Sequence, residues 1–185
     1  MLKKVVFLDR DGTINRDSAA YIKDWSEFEF LPRSIEALRH LTAAGFTIIV
    51  ITNQSAVARK LISVAGLENI HSNMKAAVKS GGGKISDIFF CPHLPDDNCD
   101  CRKPSPGLFL QAYQKYQIDL PASVMVGDSA RDIESAHNAG CGYSILVKTG
   151  NYQEARLHLA DMNLGIDYVA ADLCDAAEWC MGLSP

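Results

Sequence analysis

The chain has 185 residues, of which 48% are hydrophobic, and a formal net charge of −4 at pH 7. This length and composition suit one soluble domain with a sizeable core, and no apolar run approaches the ~20 residues of a membrane-spanning helix. An acidic chain without a cluster of Lys and Arg argues against nucleic-acid binding. The apolar run near Met1 is too short for a signal peptide, so we expect a cytoplasmic protein without a membrane partner.

Short apolar strands alternate with helical patterns along the chain. The predicted strands are Val5–Leu8, Thr47–Ile51, Asp87–Cys91, Val124–Val126, Tyr143–Val147 and Tyr168–Ala170. The predicted helices are Pro32–Ala44, Leu67–Ser80, Pro106–Tyr116, Ser129–Ala139, Asn151–Met162 and Asp172–Met181. This alternation predicts a single α/β domain over residues 1–185, a three-layer α/β/α, Rossmann-like parallel sheet with helices on both faces. In such sheets, ligands bind beyond the carboxyl ends of the strands.

Two carboxylates follow the first strand, in the segment Asp9-Arg10-Asp11-Gly12-Thr13. In extended geometry alternate side chains point the same way, so we expect Asp9 and Asp11 to share one face and Arg10 to point away. Two carboxylates this close repel each other unless a cation or a proton lies between them. The pair therefore suits an aspartate nucleophile, a metal ion and a general acid, although an Asp-Gly turn after a strand is a common structural alternative.

Polar clusters also follow three later strands. They are Thr52-Asn53-Gln54-Ser55, Cys91-Pro92-His93 with the downstream Arg102-Lys103-Pro104, and Gly127-Asp128-Ser129-Ala130-Arg131-Asp132. The carboxyl ends of parallel strands meet at one edge of a sheet. Four polar clusters at that edge predict a phosphate-handling active site.

Three cysteines and one histidine lie close together in the sequence. They are Cys91, His93, Cys99 and Cys101. Three Cys and one His form the usual donor set of a structural, tetrahedral Zn²⁺ site, and a reducing compartment argues against disulfides. We predict a zinc-binding loop over residues 91–101 that orders the following residues, Arg102 and Lys103. A closed site of this kind leaves no open position for chemistry.

The sequence resembles the haloacid dehalogenase superfamily of phosphohydrolases over nearly its whole length. The four motifs of that superfamily are matched in order by Asp9-x-Asp11-Gly12-Thr13, Thr52, Lys103 and Gly127-Asp128-x-x-x-Asp132. The resemblance implies a haloacid dehalogenase-like fold. Since the spans after Thr13 and between Thr52 and Asp87 are short or helical, we expect no large cap domain.

The resemblance also implies catalytic roles. Asp9 would attack phosphorus and form an aspartyl-phosphate. Asp11 would protonate the leaving alkoxide and then activate water. Thr52 and Lys103 would hold the oxygens of the transferring phosphoryl group and stabilise their charge.

A magnesium ion is the expected cofactor. Mg²⁺ prefers oxygen ligands, which Asp9, the carbonyl of Asp11 and Asp128 could supply. Asp132 is expected to order Lys103 or the waters of the metal, with direct metal binding as the alternative.

The zinc loop narrows the resemblance to the branch of D-glycero-D-manno-heptose 1,7-bisphosphate 7-phosphatases and histidinol-phosphate phosphatases. The segments Thr52–Arg59 and Arg102–Gly107, and the loop from Tyr21 to Phe30, favour the heptose enzymes, although Ala56 and Lys60 replace their usual glycines. The implied reaction is hydrolysis of the 7-phosphate, in heptose precursor synthesis for lipopolysaccharide or surface glycans. Histidinol phosphate or another small phosphomonoester is the alternative substrate.

A bisphosphate carries a second phosphate that does not react and that needs its own cation. Arg102 is the first candidate, because a guanidinium binds phosphate oxygens in a bidentate fork, and Arg59 is the second. The candidates for binding sugar hydroxyls are Asp17, Asn53, Gln54 and Ser55. No long apolar stripe predicts a dimer, so we expect a monomer.

Overall fold

The computed structural model describes residues 4–183, so the two ends of the predicted 1–185 domain lie outside the described residues. Six strands form one parallel sheet in the order β3-β2-β1-β4-β5-β6. Their bounds are β1 Val5–Leu8, β2 Thr47–Asn53, β3 Asp87–Cys91, β4 Val124–Gly127, β5 Tyr143–Val147 and β6 Tyr168–Ala170. Each predicted strand is therefore present, and β2 and β4 continue one or two residues further than predicted.

Six helices connect and follow the strands. Their bounds are α1 Ser34–Ala43, α2 Val64–Ser80, α3 Gly107–Tyr116, α4 Ala130–Ala139, α5 Tyr152–Asp161 and α6 Leu173–Gly182. The predicted start of α2 is wrong by three residues, because the Ser63 side chain accepts a hydrogen bond from the Gly66 amide and caps the helix earlier. The predicted first residues of α3 and α4 are the N-caps Pro106 and Ser129.

The sheet separates two hydrophobic layers, as the alternation of strands and helices predicts. On one face, Val6 and Leu8 of β1 pack in a core that includes residues of α1, α2 and α6. On the other face, Val5 and Phe7 pack in a core that includes residues of α3 and α4. Ile133 of α4 extends this second layer towards α5. The three-layer α/β/α fold is thereby confirmed. Within residues 4–183, every helix is too short or too polar to cross a bilayer.

The strand order determines which edge of the sheet can bind a ligand. β1 lies between β2 and β4, with Leu8 in register with Val50 on one side and Val126 on the other. The chain moves outward from β1 to β2 and β3 and then returns across β1 to β4. Such a reversal opens a crevice at the carboxyl ends of the central strands. Asp9 begins directly at this crevice, where its amide donates to the Val126 carbonyl at 3.0 Å.

Candidate active site

A cleft of about 290 Å³ lies beyond the carboxyl ends of β1, β2 and β4. Nine of the residues predicted from the sequence line it: Asp9, Asp11, Asp17, Thr52, Asn53, Gln54, Arg102, Lys103 and Asp128. Asp132 lines it as well. The fold therefore brings the ends of β1, β2 and β4 together with the segment after the cysteine-rich loop, as the four polar clusters predict.

The Lys103 ammonium connects the nucleophile candidate to the rest of the site. Its Nζ donates to Asp9 Oδ1 at 2.8 Å, to Asp132 Oδ1 at 2.6 Å and to the Ile51 carbonyl at 2.9 Å. All three of its hydrogens are engaged, and its side chain is only 3% exposed. Although burial alone would lower it, the two carboxylates hold the pKa of Lys103 above its ordinary value. Lys103 is therefore a fixed, fully charged cation.

Three buried carboxylates share this one cation. The oxygens of Asp9, Asp128 and Asp132 lie within 4.8 Å of one another. Burial and mutual repulsion raise the pKa of Asp9 to about 7 and that of Asp128 to about 8. A buried cluster with this excess of negative charge fits a divalent cation, and Mg²⁺ takes oxygen ligands of this kind.

The hydrogen bonds within the cluster separate the two metal-ligand candidates from Asp132. Both oxygens of Asp132 are engaged, one by Lys103 and the other by the amide and hydroxyl of Ser129 at 3.0 and 2.7 Å. Within residues 4–183, Asp9 Oδ2 and Asp128 Oδ1 accept no hydrogen bond. Gly12, at φ +82°, lets the backbone approach Asp128, because a Cβ there would collide with the carboxylate.

Asp11 lies in very different surroundings. Its carboxylate accepts hydrogen bonds from Arg10 Nη2 at 2.9 Å, from Asn15 Nδ2 at 2.9 Å and from Gln54 Nε2 at 2.7 Å. Burial opposes ionisation, but Arg10 and the two amides overcome it and hold the pKa of Asp11 below its ordinary value. Asp11 is therefore ionised at neutral pH.

The expectation that Arg10 points away from the carboxylates is wrong. The chain leaves the extended geometry after Leu8, and the amides of residues 13–15 turn back to the Arg10 carbonyl. The Arg10 guanidinium is 1% exposed and also contacts His71 Nε2 at 3.2 Å and Gln54 Oε1 at 3.1 Å. Burial and Arg10 lower the pKa of His71 to about 3, so its neutral ring accepts from Arg10. No sequence motif indicates His71, since α2 carries it 61 residues from Arg10.

The last residues of β2, with Gln54 directly after it, hold the motif residues in place. The Asn53 side chain accepts from the Lys103 amide at 3.0 Å and donates to the Lys103 carbonyl at 3.1 Å. Gln54 Nε2 donates to Thr52 Oγ1 at 2.9 Å, which leaves the Thr52 hydroxyl hydrogen for another acceptor. Asn53 and Gln54 are thus engaged with the active-site framework as well as lining the cleft.

Two substrate-binding candidates lie outside the cleft wall. Ser55 is buried, and its carbonyl accepts from the Arg59 amide at 3.0 Å. Arg59 is exposed, and its guanidinium lies over the ring of Tyr21 at 5.8 Å from the centroid. Since Tyr21 lines the cleft, Arg59 reaches the cleft only through that ring. Of the two replaced glycine positions, Lys60 adopts a left-handed conformation (φ 59°) and Ala56 does not.

The four predicted zinc ligands converge. Cys91 Sγ lies 3.5 Å from His93 Nδ1 and 3.6 Å from Cys99 Sγ, and Cys101 Sγ lies 3.3 Å from His93 Nδ1 and 3.6 Å from Cys99 Sγ. The edges of a tetrahedral zinc site with these ligands measure roughly 3.5–3.8 Å. All cysteines among residues 4–183 are free. The cluster therefore has the size and the donors of a closed Zn²⁺ site.

Arg131 is a cleft residue to which the sequence analysis assigned no role. It is exposed, it is the second residue of α4, and it lines the cleft beside Ser129 and Asp132. Its position in the cluster after β4 was visible in the sequence. The orientation of its side chain depends on the helix start and could not be read there.

Several known proteins are similar to this chain. The family described as HAD-hydrolase-like matches residues 100–176. The D-glycero-beta-D-manno-heptose-1,7-bisphosphate 7-phosphatase of Bordetella bronchiseptica is 46% identical over 148 residues, which cover 80% of this chain and 82% of that protein. A relative from Photorhabdus laumondii, named as the phosphatase of the alpha anomer, is 41% identical over 155 residues, or 80% of this chain and 84% of that protein.

A solved structure of an enzyme with this kind of name is also similar to the chain. The D,D-heptose 1,7-bisphosphate phosphatase from B. bronchiseptica, complexed with magnesium and phosphate, superposes with a TM-score of 0.90 at 42% identity. The match covers 98% of this chain and 99% of that one.

Proposed function

Because this chain belongs to the haloacid dehalogenase-like family of phosphatases, we propose that it hydrolyses the 7-phosphate of D-glycero-D-manno-heptose 1,7-bisphosphate. The observation that carries the proposal is the convergence of Asp9, Lys103 and Asp128 in one buried cleft of a chain 46% identical to an enzyme of that name. It would act as a single-domain monomer in heptose precursor synthesis for lipopolysaccharide or surface glycans. We propose the cytoplasm as its location.

Asp9 is the nucleophile in this reaction. Its carboxylate attacks the phosphorus of the 7-phosphate, the bond to the sugar oxygen breaks, and an aspartyl-phosphate forms. Lys103 orients the carboxylate through the 2.8 Å hydrogen bond to Oδ1. Water then attacks the aspartyl-phosphate and releases inorganic phosphate.

Asp11 moves the protons. It protonates the departing alkoxide in the first step and removes a proton from the attacking water in the second. Arg10, Asn15 and Gln54 favour its ionised form, which is the base of the second step. An entering phosphate dianion raises the pKa of a nearby carboxyl group, so substrate binding itself favours the acid form.

The phosphoryl oxygens are held by Thr52 and Lys103. The Thr52 hydroxyl accepts from Gln54 and can donate its own hydrogen to a phosphoryl oxygen. Asp9, the carbonyl of Asp11 and Asp128 would hold Mg²⁺, which supplies positive charge for the transferring phosphoryl group when bound. These groups therefore stabilise the oxygens of the transferring phosphoryl group, whose negative charge changes during the reaction.

The zinc loop supports the substrate side of the cleft. We assign Cys91, His93, Cys99 and Cys101 as ligands of a structural Zn²⁺. Arg102 follows directly, and its Nη1 donates to the His93 carbonyl at 3.0 Å. A metal that fixes the backbone at His93 thus fixes Arg102 as well.

Substrate contacts are proposed from the positions of the remaining candidates. Asp17 and Gln54 line the cleft and can bind sugar hydroxyls. Asn53 contributes mainly by holding the backbone of Lys103. Ser55 and Arg59 shape the loop behind the cleft wall rather than contact the sugar.

Phosphate release, measured with Mg²⁺ from heptose 1,7-bisphosphate and histidinol phosphate side by side, tests the proposal. Both anomers at C1 belong in the assay, since relatives with both names match this chain. We expect a strong preference for the bisphosphate and no turnover by the folded Asp9→Asn variant. A preference for histidinol phosphate would overturn the substrate, and residual turnover by Asp9→Asn would overturn the nucleophile.

A further inference from the structure

A second, smaller depression adjoins the cleft on the side of the zinc loop. Its volume is about 280 Å³, and it lies between the segment from Pro95 to Ser105 and the start of α4. Its charged lining residues are Arg102, Lys103 and Arg131. Among the described residues that line it there is no carboxylate, and Arg102 and Arg131 are its cations without a carboxylate partner.

The depression is continuous with the cleft. Arg102 and Arg131 line both, so the two guanidinium groups stand at the boundary between them. A ligand with one phosphate beside Asp9 can therefore extend its other end towards the two arginines without leaving the protein surface.

Arg131 is available to bind such a ligand. Within residues 4–183 it makes no ion pair and no side-chain hydrogen bond, and it is exposed at the first turn of α4. The neighbouring carboxylate, Asp132, is buried and is engaged by Lys103 and Ser129. Among the described residues Arg131 thus has no ion-pair partner, although it borders the cleft and also a third cavity that Glu134 and Glu154 line.

Arg102 is partly engaged. Its Nη1 donates to the His93 carbonyl, which leaves the other guanidinium hydrogens for a ligand. Two guanidinium groups beside one cavity repel each other unless an anion lies between them. A phosphate group meets both requirements, because each guanidinium can donate two hydrogen bonds to its oxygens.

We propose that Arg131 acts with Arg102 to bind the non-reacting phosphate of the substrate in this depression, and that Arg131 is therefore a specificity residue. This inference rests on the proposed function, because only a bisphosphate carries the second anion. Arg102 supplies a guanidinium held at the His93 carbonyl, and Arg131 supplies a second guanidinium from the first turn of α4.

The test compares Arg131→Met with Arg156→Met, since Arg156 is an exposed arginine on α5 that lines neither cavity. Steady-state kcat/KM is measured for heptose 1,7-bisphosphate and for heptose 7-phosphate, and the readout is their ratio. Because Arg131→Met removes hydrogen bonds between two charged groups, it should lower the ratio at least about tenfold. Arg156→Met should keep the wild-type ratio, and Arg131→Lys should recover part of the loss.

The outcomes separate this inference from the proposed function. If the wild type prefers the bisphosphate and Arg131→Met keeps that preference, the assignment of Arg131 is overturned while the proposed function stands. If the wild type does not turn over the bisphosphate, both are overturned. Melting temperatures of the variants establish whether an altered ratio comes from unfolding. Since Arg131 is exposed, we expect its variants to melt at the wild-type temperature.

Discussion

Replacing Asp132 by asparagine tests whether this carboxylate positions Lys103 or binds the metal. Asp132 is fully buried, with Oδ1 at 2.6 Å from Lys103 Nζ and Oδ2 at 2.7 Å from Ser129 Oγ. Asparagine keeps the shape and can still accept from Ser129. It removes one of the two carboxylates that hold the buried ammonium.

The magnitude follows from what Lys103 loses and keeps. Removing one partner of a buried ion pair costs about 3–5 kcal/mol. Lys103 retains Asp9 and the Ile51 carbonyl, so we expect the lower end, about 3 kcal/mol. For a domain of this size this corresponds to a melting temperature about 6–12 °C lower. The measurement belongs at pH 8, where Asp9, with a pKa of about 7, is mostly ionised and remains an anionic partner of Lys103; relief of repulsion among the carboxylates also favours the lower end.

The assay combines calorimetric melting, Mg²⁺ affinity and turnover. Asp161→Asn is the matched control, because Asp161 is exposed at the end of α5. We expect Asp132→Asn to lower kcat at least tenfold while Mg²⁺ affinity falls by less than about tenfold, since Lys103 rather than a metal ligand is disturbed. An unchanged melting temperature together with a hundredfold loss of Mg²⁺ affinity would refute this reasoning and make Asp132 a ligand.

Three further predictions concern the metals and the backbone. Burial raises the pKa values of Asp9 (about 7) and Asp128 (about 8) in the folded state above those of the unfolded chain, so the metal-free protein loses stability as pH rises from about 4 to 8. The increase in melting temperature that Mg²⁺ gives relative to EDTA should therefore grow from pH 5 to pH 8. An increase that stays constant over this range would contradict the reasoning. Elemental analysis should find one zinc per chain in the wild type and in Cys141→Ser, and none in Cys99→Ser. Only Cys99→Ser should lose several kcal/mol of folding free energy. A folded wild-type protein without zinc would exclude the site. Lys60→Gly should raise the free energy of unfolding, measured in urea, by about 0.5–1 kcal/mol. Glycine removes the backbone strain of the left-handed conformation at Lys60, and this gain exceeds the entropy that glycine loses on folding. A lower free energy of unfolding would show that the strain is absent.

The strands and helices were predictable because their signals are local. Apolar runs such as Val5–Leu8 and stops such as Gly45 and Gly140 are legible without tertiary information. The parallel sheet then places every strand end at one edge, so the meeting of Asp9, Thr52 and the Asp128 segment follows from topology alone. Helix starts were less accurate where a cap such as Ser63 decides them.

The parts of the site that the sequence did not predict depend on contacts between distant segments. Arg10 turns inward because the chain leaves the strand geometry, and its partner His71 comes from a helix that shows no motif. Arg59 appears in the sequence as a cation available for a phosphate, whereas the structure places it over Tyr21. In each case the residue type was visible, but the direction of its side chain was set by a neighbour far along the chain.

The same distinction explains how two aspartates in one motif acquire different roles. Asp11 is ionised by its immediate neighbour Arg10 and by two amides, so its charge is secured by the protein alone. Asp9 must share Lys103 with Asp132, and its pKa rises to about 7. Full ionisation of Asp9, the proposed nucleophile, therefore requires further positive charge beside it, which a divalent cation held by Asp9 and Asp128 would provide. Environments that push two carboxylates apart in pKa are what separates a metal-dependent nucleophile from a proton-transfer group, and no pattern of sequence spacing contains that information.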